Sequence, residues 1–489
     1  MKTAIIIGSG FGGLSLGIRL QAENWKVQIF EKNPFPGGHA QQYKKNGYTF
    51  DMGPSLITAP DIINRIFEKA GKNLSDYVNL ISLDPFYRVY FHDKSYIDYT
   101  GDSDKMINQM RKFNSNDADN YLRFIQKSKE IYKAVIEDGL GSTAFNNLGT
   151  MLKFIPRATK LNALSPAYKV ASKYFQDFRH RFMFSFHPLF IGGNPFKVPS
   201  VYLMISYLEK EGGVWFTSGG MYSLVQAFVD VFKELGGELH TNSEVSEITV
   251  ENGKVKGIIS NDSFFQSDIV ISNADVTKTY SIMKFQENRN QKGISDGKYS
   301  MSAFLMFLGV KKKYPELLHH TIILSHRYKE LVTDIFDKHI LPDDFSMYVH
   351  VPSKTDTSMA PDGCDSIYIL VPVTNLQSGT DWESEKNVYG EKIINFLQNT
   401  FGLEGFKDKI EFVDYFTPVD FLVQRNSSFG TPWGLEPVLT QTAYFRQHNQ
   451  SKKIKNLFFV GAGTHPGAGL PGVMLSAEAT EKLIKAYIN

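Results

Sequence analysis

The sequence predicts an α/β fold built on a parallel nucleotide-binding sheet, joined to a mixed-sheet part and a helical region. Three observations carry this. A β-branched run enters a G-x-G-x-x-G turn at the N-terminus. A glycine-rich turn precedes the closing helix at the C-terminus. Between them, a helix–strand–hairpin–strand unit supplies the remaining strands of such a sheet.

Ala4-Ile5-Ile6-Ile7 reads as a buried strand and runs into Gly8-Ser9-Gly10-Phe11-Gly12-Gly13. An apolar helical spacing follows through Leu20, then a β-type run Lys26–Phe30 ending at Glu31. Gly8 permits the tight turn, Gly10 lets backbone approach a pyrophosphate, and Gly13 lets helix and strand pack closely. The helix N-terminus offers free N–H groups to phosphate. Glu31 can accept hydrogen bonds from ribose hydroxyls and would repel a 2′-phosphate, which favours FAD or NAD over NADP; Lys32 beside it moderates that preference. Gly37-Gly38-His39 and Gly53-Pro54-Ser55 then add loops of the kind that cover a flavin rather than continue an NAD domain.

Met221 to Phe232 reads as a helix opened by Gly219-Gly220. A turn and strand lead to Val245, a hairpin turns at Asn252-Gly253, and a strand ends at Ser272-Asn273-Ala274-Asp275. Near the C-terminus, Asn456–Val460 enters Gly461-Ala462-Gly463-Thr464-His465-Pro466-Gly467-Ala468-Gly469-Leu470-Pro471-Gly472-Val473-Met474. Pro466 and Pro471 interrupt a standard nucleotide loop, so the segment reads as a flavin-covering return, with Gly472, Val473 and Met474 starting the last helix.

Composition narrows the function classes. Among 489 residues, 53 Lys+Arg against 51 Asp+Glu leave a net charge of +2, which argues against a nucleic-acid partner. Cys364 is the single cysteine, which removes intrachain disulfides and Cys-based metal clusters. His319-His320 has no metal-ligand spacing, no H-E-x-x-H or G-x-S-x-G occurs, and Asp343-Asp344 follows Pro342 in a loop; no residue is assigned to a metal or to hydrolysis. The 38 Phe, 24 Tyr and 4 Trp make the apolar set rich in aromatics, while no apolar run is long enough to span a membrane. Met1-Lys2-Thr3 leads straight into a strand, without a signal-peptide pattern. The expected location is cytoplasmic.

These motifs resemble the two-dinucleotide-binding-domain flavoproteins, the amine-oxidase-like group, and among them the bacterial-type phytoene desaturases, FAD-dependent carotenoid desaturases. The C-terminal Gly461–Val473 stretch carries the resemblance most specifically. Phe184-Ser185-Phe186-His187, Gly192-Gly193-Asn194-Pro195, Leu318-His319-His320-Thr321 and Phe345–His350 extend it. One departure is visible: Gly37-Gly38-His39 stands where many relatives have Gly-Gly-Arg.

The resemblance implies a discontinuous FAD-binding domain (1–75, 216–285 and 440–489), a mixed-sheet substrate domain (76–104 and 286–439) and a helical, membrane-associating region (105–215). Cofactor contacts are expected at Gly8, Gly10, Phe11, Gly12, Gly13, Glu31, Lys32, Gly37, Gly38, His39, Gly53, Pro54, Ser55, Val245, Gly461, Ala462, Gly472, Val473 and Met474. Lys153, Arg157, Lys160, Lys169, Lys173, Arg179 and Arg181, interleaved with Phe, Tyr, Leu and Ile, suit a lipid surface, here the inner face of the cell membrane. The expected partners are a phytoene-like carotenoid, membrane lipid, and quinone or oxygen as electron acceptor. Desaturation by hydride transfer to flavin needs only a weak base, and no catalytic residue is assigned. A desaturase of a later, hydroxylated or partly desaturated carotenoid and a flavin amine oxidase remain alternatives. A flavin-free lipid carrier of the same fold is disfavoured by the intact glycine turns.

Overall fold

The computed structural model describes residues 1–145, 148–283 and 297–488. The expected boundary between residues 285 and 286 lies outside them.

The N-terminal β-branched run forms the strand Thr3–Ile7, at the centre of a five-stranded sheet. Lys26–Phe30 and Glu238–His240 lie on one side of it, Ile269–Ser272 and Leu457–Phe459 on the other. Neighbouring strands run parallel: Ile6 pairs with Ile29 and with Ile271, and Ile271 with Phe458. Five segments far apart in sequence thus present their C-terminal ends along one edge, where ligands of open parallel sheets bind. Helices Phe11–Gln21, Met221–Glu234 and Leu470–Ile488 cover one face through Leu14, Phe228, Leu475 and their neighbours. Arg19 bonds Glu481 at 2.9 Å, joining the first and last helices in a largely buried pair.

Strands Val245–Glu251 and Lys254–Ser260 form the hairpin expected at Asn252-Gly253, with φ values of +50° and +69° at those two residues. Both central positions of a type I′ turn require that sign, which Asn and Gly tolerate best. The last helix begins at Leu470 rather than Gly472. Pro471 falls within the first turn, where a missing N–H costs little.

A seven-stranded mixed sheet forms the second layer, in the order Ile410–Phe416, Ser302–Val310, Asp365–Val373, Met347–His350, His320–Ile323, Tyr87–Tyr90, Tyr96–Tyr99. Ser302–Val310 is buried along its whole length, consistent with its continuous apolar sequence. One side packs on Phe304, Trp382 and Tyr389. Helices Ser103–Arg111, Ser115–Tyr132, Phe178–Met183 and Met204–Gly212 cluster through Phe124, Phe175, Phe184 and Leu203 beside the sheet end formed by Tyr87 and Tyr99. Among the described residues, no helix is long and apolar enough to cross a membrane.

Candidate functional site

At the C-terminal edge of the parallel sheet, three turns close on one another. Gly8 has φ +92° and its N–H donates to the Phe30 carbonyl at 2.8 Å, bending the chain into the first helix. A Cβ on Gly13 would lie 2.3 Å from the Gly8 carbonyl oxygen, so only glycine allows this strand–helix approach. No side chain caps the helix that starts at Phe11, so its first N–H groups stay available to an anion. The Asn273 N–H bonds the Ile7 carbonyl at 2.8 Å, which sets its side chain between the first turn and Gly461.

These turns form one end of a cavity of about 560 Å³. Every expected cofactor residue lines it except Gly13, which holds the turn from behind, and Met474, which is buried in the helix packing. Gly38 passes so close that a Cβ there would lie 3.2 Å from the Gly10 Cα; a Cβ on Gly53 would lie 2.3 Å from the His39 carbonyl oxygen. Glu31 is buried: one oxygen accepts from the Ser9 N–H and hydroxyl, at 3.0 and 2.6 Å, the other from the Asn33 N–H and amide at 3.0 Å. A ribose hydroxyl reaching it would replace the Ser9 hydroxyl or the Asn33 amide. Val245 adds an apolar wall on the neighbouring strand, and Gly472 and Val473 bring the first turn of the last helix to the far side. The residues present therefore fit FAD, with a cradle that side chains at Gly10, Gly38 or Gly461 would fill.

Arg425 belongs to no motif legible in the sequence. Its guanidinium enters the cavity from helix Pro418–Arg425, beside His39 and Glu31. Burial lowers its pKa against the opposing pull of Glu31 and Asp420. His39 stacks on Phe421 at 5.9 Å; burial, with Arg425 nearby, pushes it down to about 4. The histidine is thus neutral at pH 7, and Arg425 is the cation beside this Gly-Gly-His turn. Lys32 is held by the Val423 carbonyl at 3.1 Å, and burial lowers its pKa.

The cavity continues into an apolar wall: Phe182, Phe186 and Leu208 on the helical side, Leu305, Ile322 and Leu370 on the large sheet. Set in the helical wall is Glu209, 1% exposed, which accepts from the Tyr87 hydroxyl at 2.9 Å and lies 3.2 Å from His187 Nε2. On the sheet side, Tyr348 bonds Ser55 Oγ at 2.6 Å and His320 Nδ1 at 2.7 Å. Neither network was evident from spacing, because each joins residues from separate elements.

The family model for flavin containing amine oxidoreductases matches residues 11–480. The chain is 40% identical over 492 residues to the lycopene-forming phytoene desaturase of Pseudescherichia vulneris, covering 99% of each. It is 36% identical over 491 residues to the neurosporene-forming phytoene desaturase of Cereibacter sphaeroides, covering 98% of this chain and 94% of that one. A solved oxidoreductase from Methanosarcina mazei shares the fold at TM-score 0.65 and 17% identity, over 98% of this chain and 100% of that one.

Proposed function

The chain belongs to the phytoene desaturases of the flavin containing amine oxidoreductase family, and from that premise we propose how its cavity carries out the reaction. It is an FAD-dependent carotenoid desaturase, an oxidoreductase acting on CH–CH bonds. The observation that carries the proposal is the single cavity, with glycine turns and Arg425 at one end and apolar side chains at the other. Such a space brings a dinucleotide and a hydrocarbon together without an intervening polar channel.

When bound, FAD would supply the hydride acceptor for a saturated carbon beside the polyene. The protein's share is to orient and to keep water out. The N–H groups at the start of the first helix, with Arg425, would hold the pyrophosphate, and Glu31 with Asn33 would receive the ribose. Phe182, Phe186, Ile322 and Leu370 bury the hydrocarbon and align the bond to be oxidised. Glu209 takes up the proton that leaves the neighbouring carbon; it is a carboxylate set in the apolar wall, held in place by Tyr87 and His187.

The substrate is phytoene, carried toward neurosporene or lycopene. Gly461 and Gly12 serve one cavity, which favours a single nucleotide and therefore quinone or oxygen, rather than a second bound nucleotide, as electron acceptor. Helix Leu148–Lys160 exposes Leu152 (52%) and Ile155 (40%) beside Lys153, Arg157 and Lys160, a pattern that suits peripheral docking on the inner face of an anionic membrane.

The test is to incubate FAD-loaded enzyme in liposomes with phytoene, neurosporene, a hydroxylated carotenoid or a polyamine, and to analyse products. Conversion of phytoene to neurosporene or lycopene is expected. Turnover of only the hydroxylated carotenoid would make it a later desaturase; amine-dependent peroxide without carotenoid turnover would make it an amine oxidase.

A further inference from the structure

Three histidines meet beside the cavity although the sequence spacing of His319-His320 gives no metal motif. Strand His320–Ile323 pairs antiparallel with Met347–His350, and the register sets His320 directly opposite His350. His319 precedes the strand, and its carbonyl accepts from the Val351 N–H at 2.8 Å, which keeps it at the same end of the pair. The three imidazole centroids lie 4.4, 4.9 and 5.0 Å apart. One ring nitrogen from each falls within 4.8 Å of the other two. His320 and His350 are fully buried and His319 is 7% exposed.

Each ring has one nitrogen facing an oxygen and one left over. His319 Nδ1 lies 2.6 Å from Thr355 Oγ1, and His320 Nδ1 lies 2.7 Å from the Tyr348 hydroxyl. His350 Nε2 faces Asp51 Oδ2 at 3.4 Å, while Asp51 Oδ1 accepts the Met221 N–H at 2.8 Å. Nε2 of His319, Nε2 of His320 and both nitrogens of His350 are buried and have no hydrogen-bond partner among the described residues. Orphaned buried nitrogens are costly, and three converging ones call for a shared partner.

We propose that His319, His320 and His350 bind a divalent late first-row metal ion, of which zinc fits the neutral imidazole set best. The arrangement has both shells of such a site. One nitrogen from each ring would serve as a ligand. Thr355 Oγ1 and the Tyr348 hydroxyl stand against the other nitrogens of His319 and His320, and Asp51 Oδ2 lies near His350 Nε2, so oxygens are placed to receive outer N–H groups once an ion sets the tautomers. A tetrahedral ion with metal–nitrogen bonds near 2.0 Å sets ligand nitrogens about 3.3 Å apart, so small ring rotations draw the cluster in. The ion would tie the large sheet to Asp51, and so to the N-terminus of helix Met221–Glu234. It would also fix the ring that positions Tyr348 in the cavity wall. The proposal does not depend on which hydrocarbon the cavity takes.

The test uses the full-length, FAD-loaded protein, stripped with a chelator, equilibrated with Zn²⁺ or Co²⁺, desalted and assayed for metal by mass spectrometry. About one ion per chain is expected, with the visible absorption of four-coordinate Co²⁺ and a higher Tm when Zn²⁺ is present. His320→Ala and His350→Ala should drop to background metal and lose the Tm rise while still binding FAD. Metal at background in the wild-type protein would overturn the proposal. So would wild-type stoichiometry in either variant, which would mark adventitious surface binding. Should a variant fail to fold, the wild-type stoichiometry and Co²⁺ spectrum decide alone.

Discussion

Gly12 and Gly461, at opposite ends of the chain, touch backbone to backbone: a Cβ on Gly12 would lie 2.8 Å from the Gly461 Cα and 2.6 Å from Asn273 Oδ1. The nucleotide end of the cavity is therefore closed by three segments at once. Gly12→Ala should push the first helix away from the C-terminal turn. The expected loss is about 1–3 kcal/mol of stability, with FAD affinity falling in parallel. Thermal melting and flavin fluorescence titration read both; an Ala variant with wild-type affinity would show that the contact is loose.

Arg425 is the cation beside the Gly-Gly-His turn. Arg425→Ala should weaken FAD binding about tenfold, a loss of about 1.4 kcal/mol, while His39→Ala should do less because that ring is neutral at pH 7. Flavin titration of both variants ranks the two residues. A larger loss from His39→Ala would reverse the assignment.

Glu209 separates charge from packing. Glu209→Gln keeps a hydrogen-bond acceptor for Tyr87 but cannot take a proton, so kcat should fall about a hundredfold with FAD binding and Tm nearly unchanged. Glu209→Ala should in addition cost about 1–3 kcal/mol, since it removes a buried acceptor and leaves a void beside Tyr87 and His187, which keep only their mutual 3.1 Å contact. Paired kinetics and melting curves distinguish the roles. Equal kcat in wild type and Glu209→Gln would remove Glu209 from the reaction.

Stability should depend on pH through His465. Burial, with Arg446 and His448 nearby, pushes its pKa down to about 3, against about 6.5 in an unfolded chain. Below pH 6.5 the unfolded state takes up a proton that the folded state refuses, so this histidine's contribution is fully present above pH 6.5. It is lost as pH falls from there toward about 3, at up to about 1.4 kcal/mol per pH unit. Urea midpoints at pH 7.5, 6 and 5 should decline in wild type and decline less in His465→Gln. Parallel slopes would exclude the histidine as a source.

Leu152 and Ile155 lie on the exposed side of a basic helix. Replacing both with Glu should reduce co-sedimentation with anionic liposomes severalfold while leaving FAD binding intact. Unchanged sedimentation would move the docking face elsewhere.

The nucleotide half of the site was legible in the sequence because its signals are local. Gly8, Gly10, Gly13 and Glu31 sit within one strand–helix–strand unit, and Asn252-Gly253 marks its hairpin by turn chemistry alone. The resemblance of the C-terminal glycine turn pointed to the flavin. Arg425, Glu209 and His350 were not legible, because sheet register and helix packing bring them to their partners across long stretches of chain. His350 meets His320 only through an antiparallel pairing. Met474 reads as the start of the last helix, at the flavin, yet a helix starting at Leu470 carries it into the core. The aromatic bias divides in the same way: Phe182 and Phe186 line the cavity, while Phe304 and Tyr389 pack behind the sheet.

The central claim is that one cavity places a long hydrocarbon against bound FAD. It is tested most directly by mixing the FAD-loaded enzyme anaerobically with phytoene-bearing liposomes and following visible absorbance. The flavin band should bleach as the longer-wavelength bands of an extended polyene appear. A flavin that stays oxidised with phytoene, yet bleaches with another carotenoid or an amine, would contradict the account.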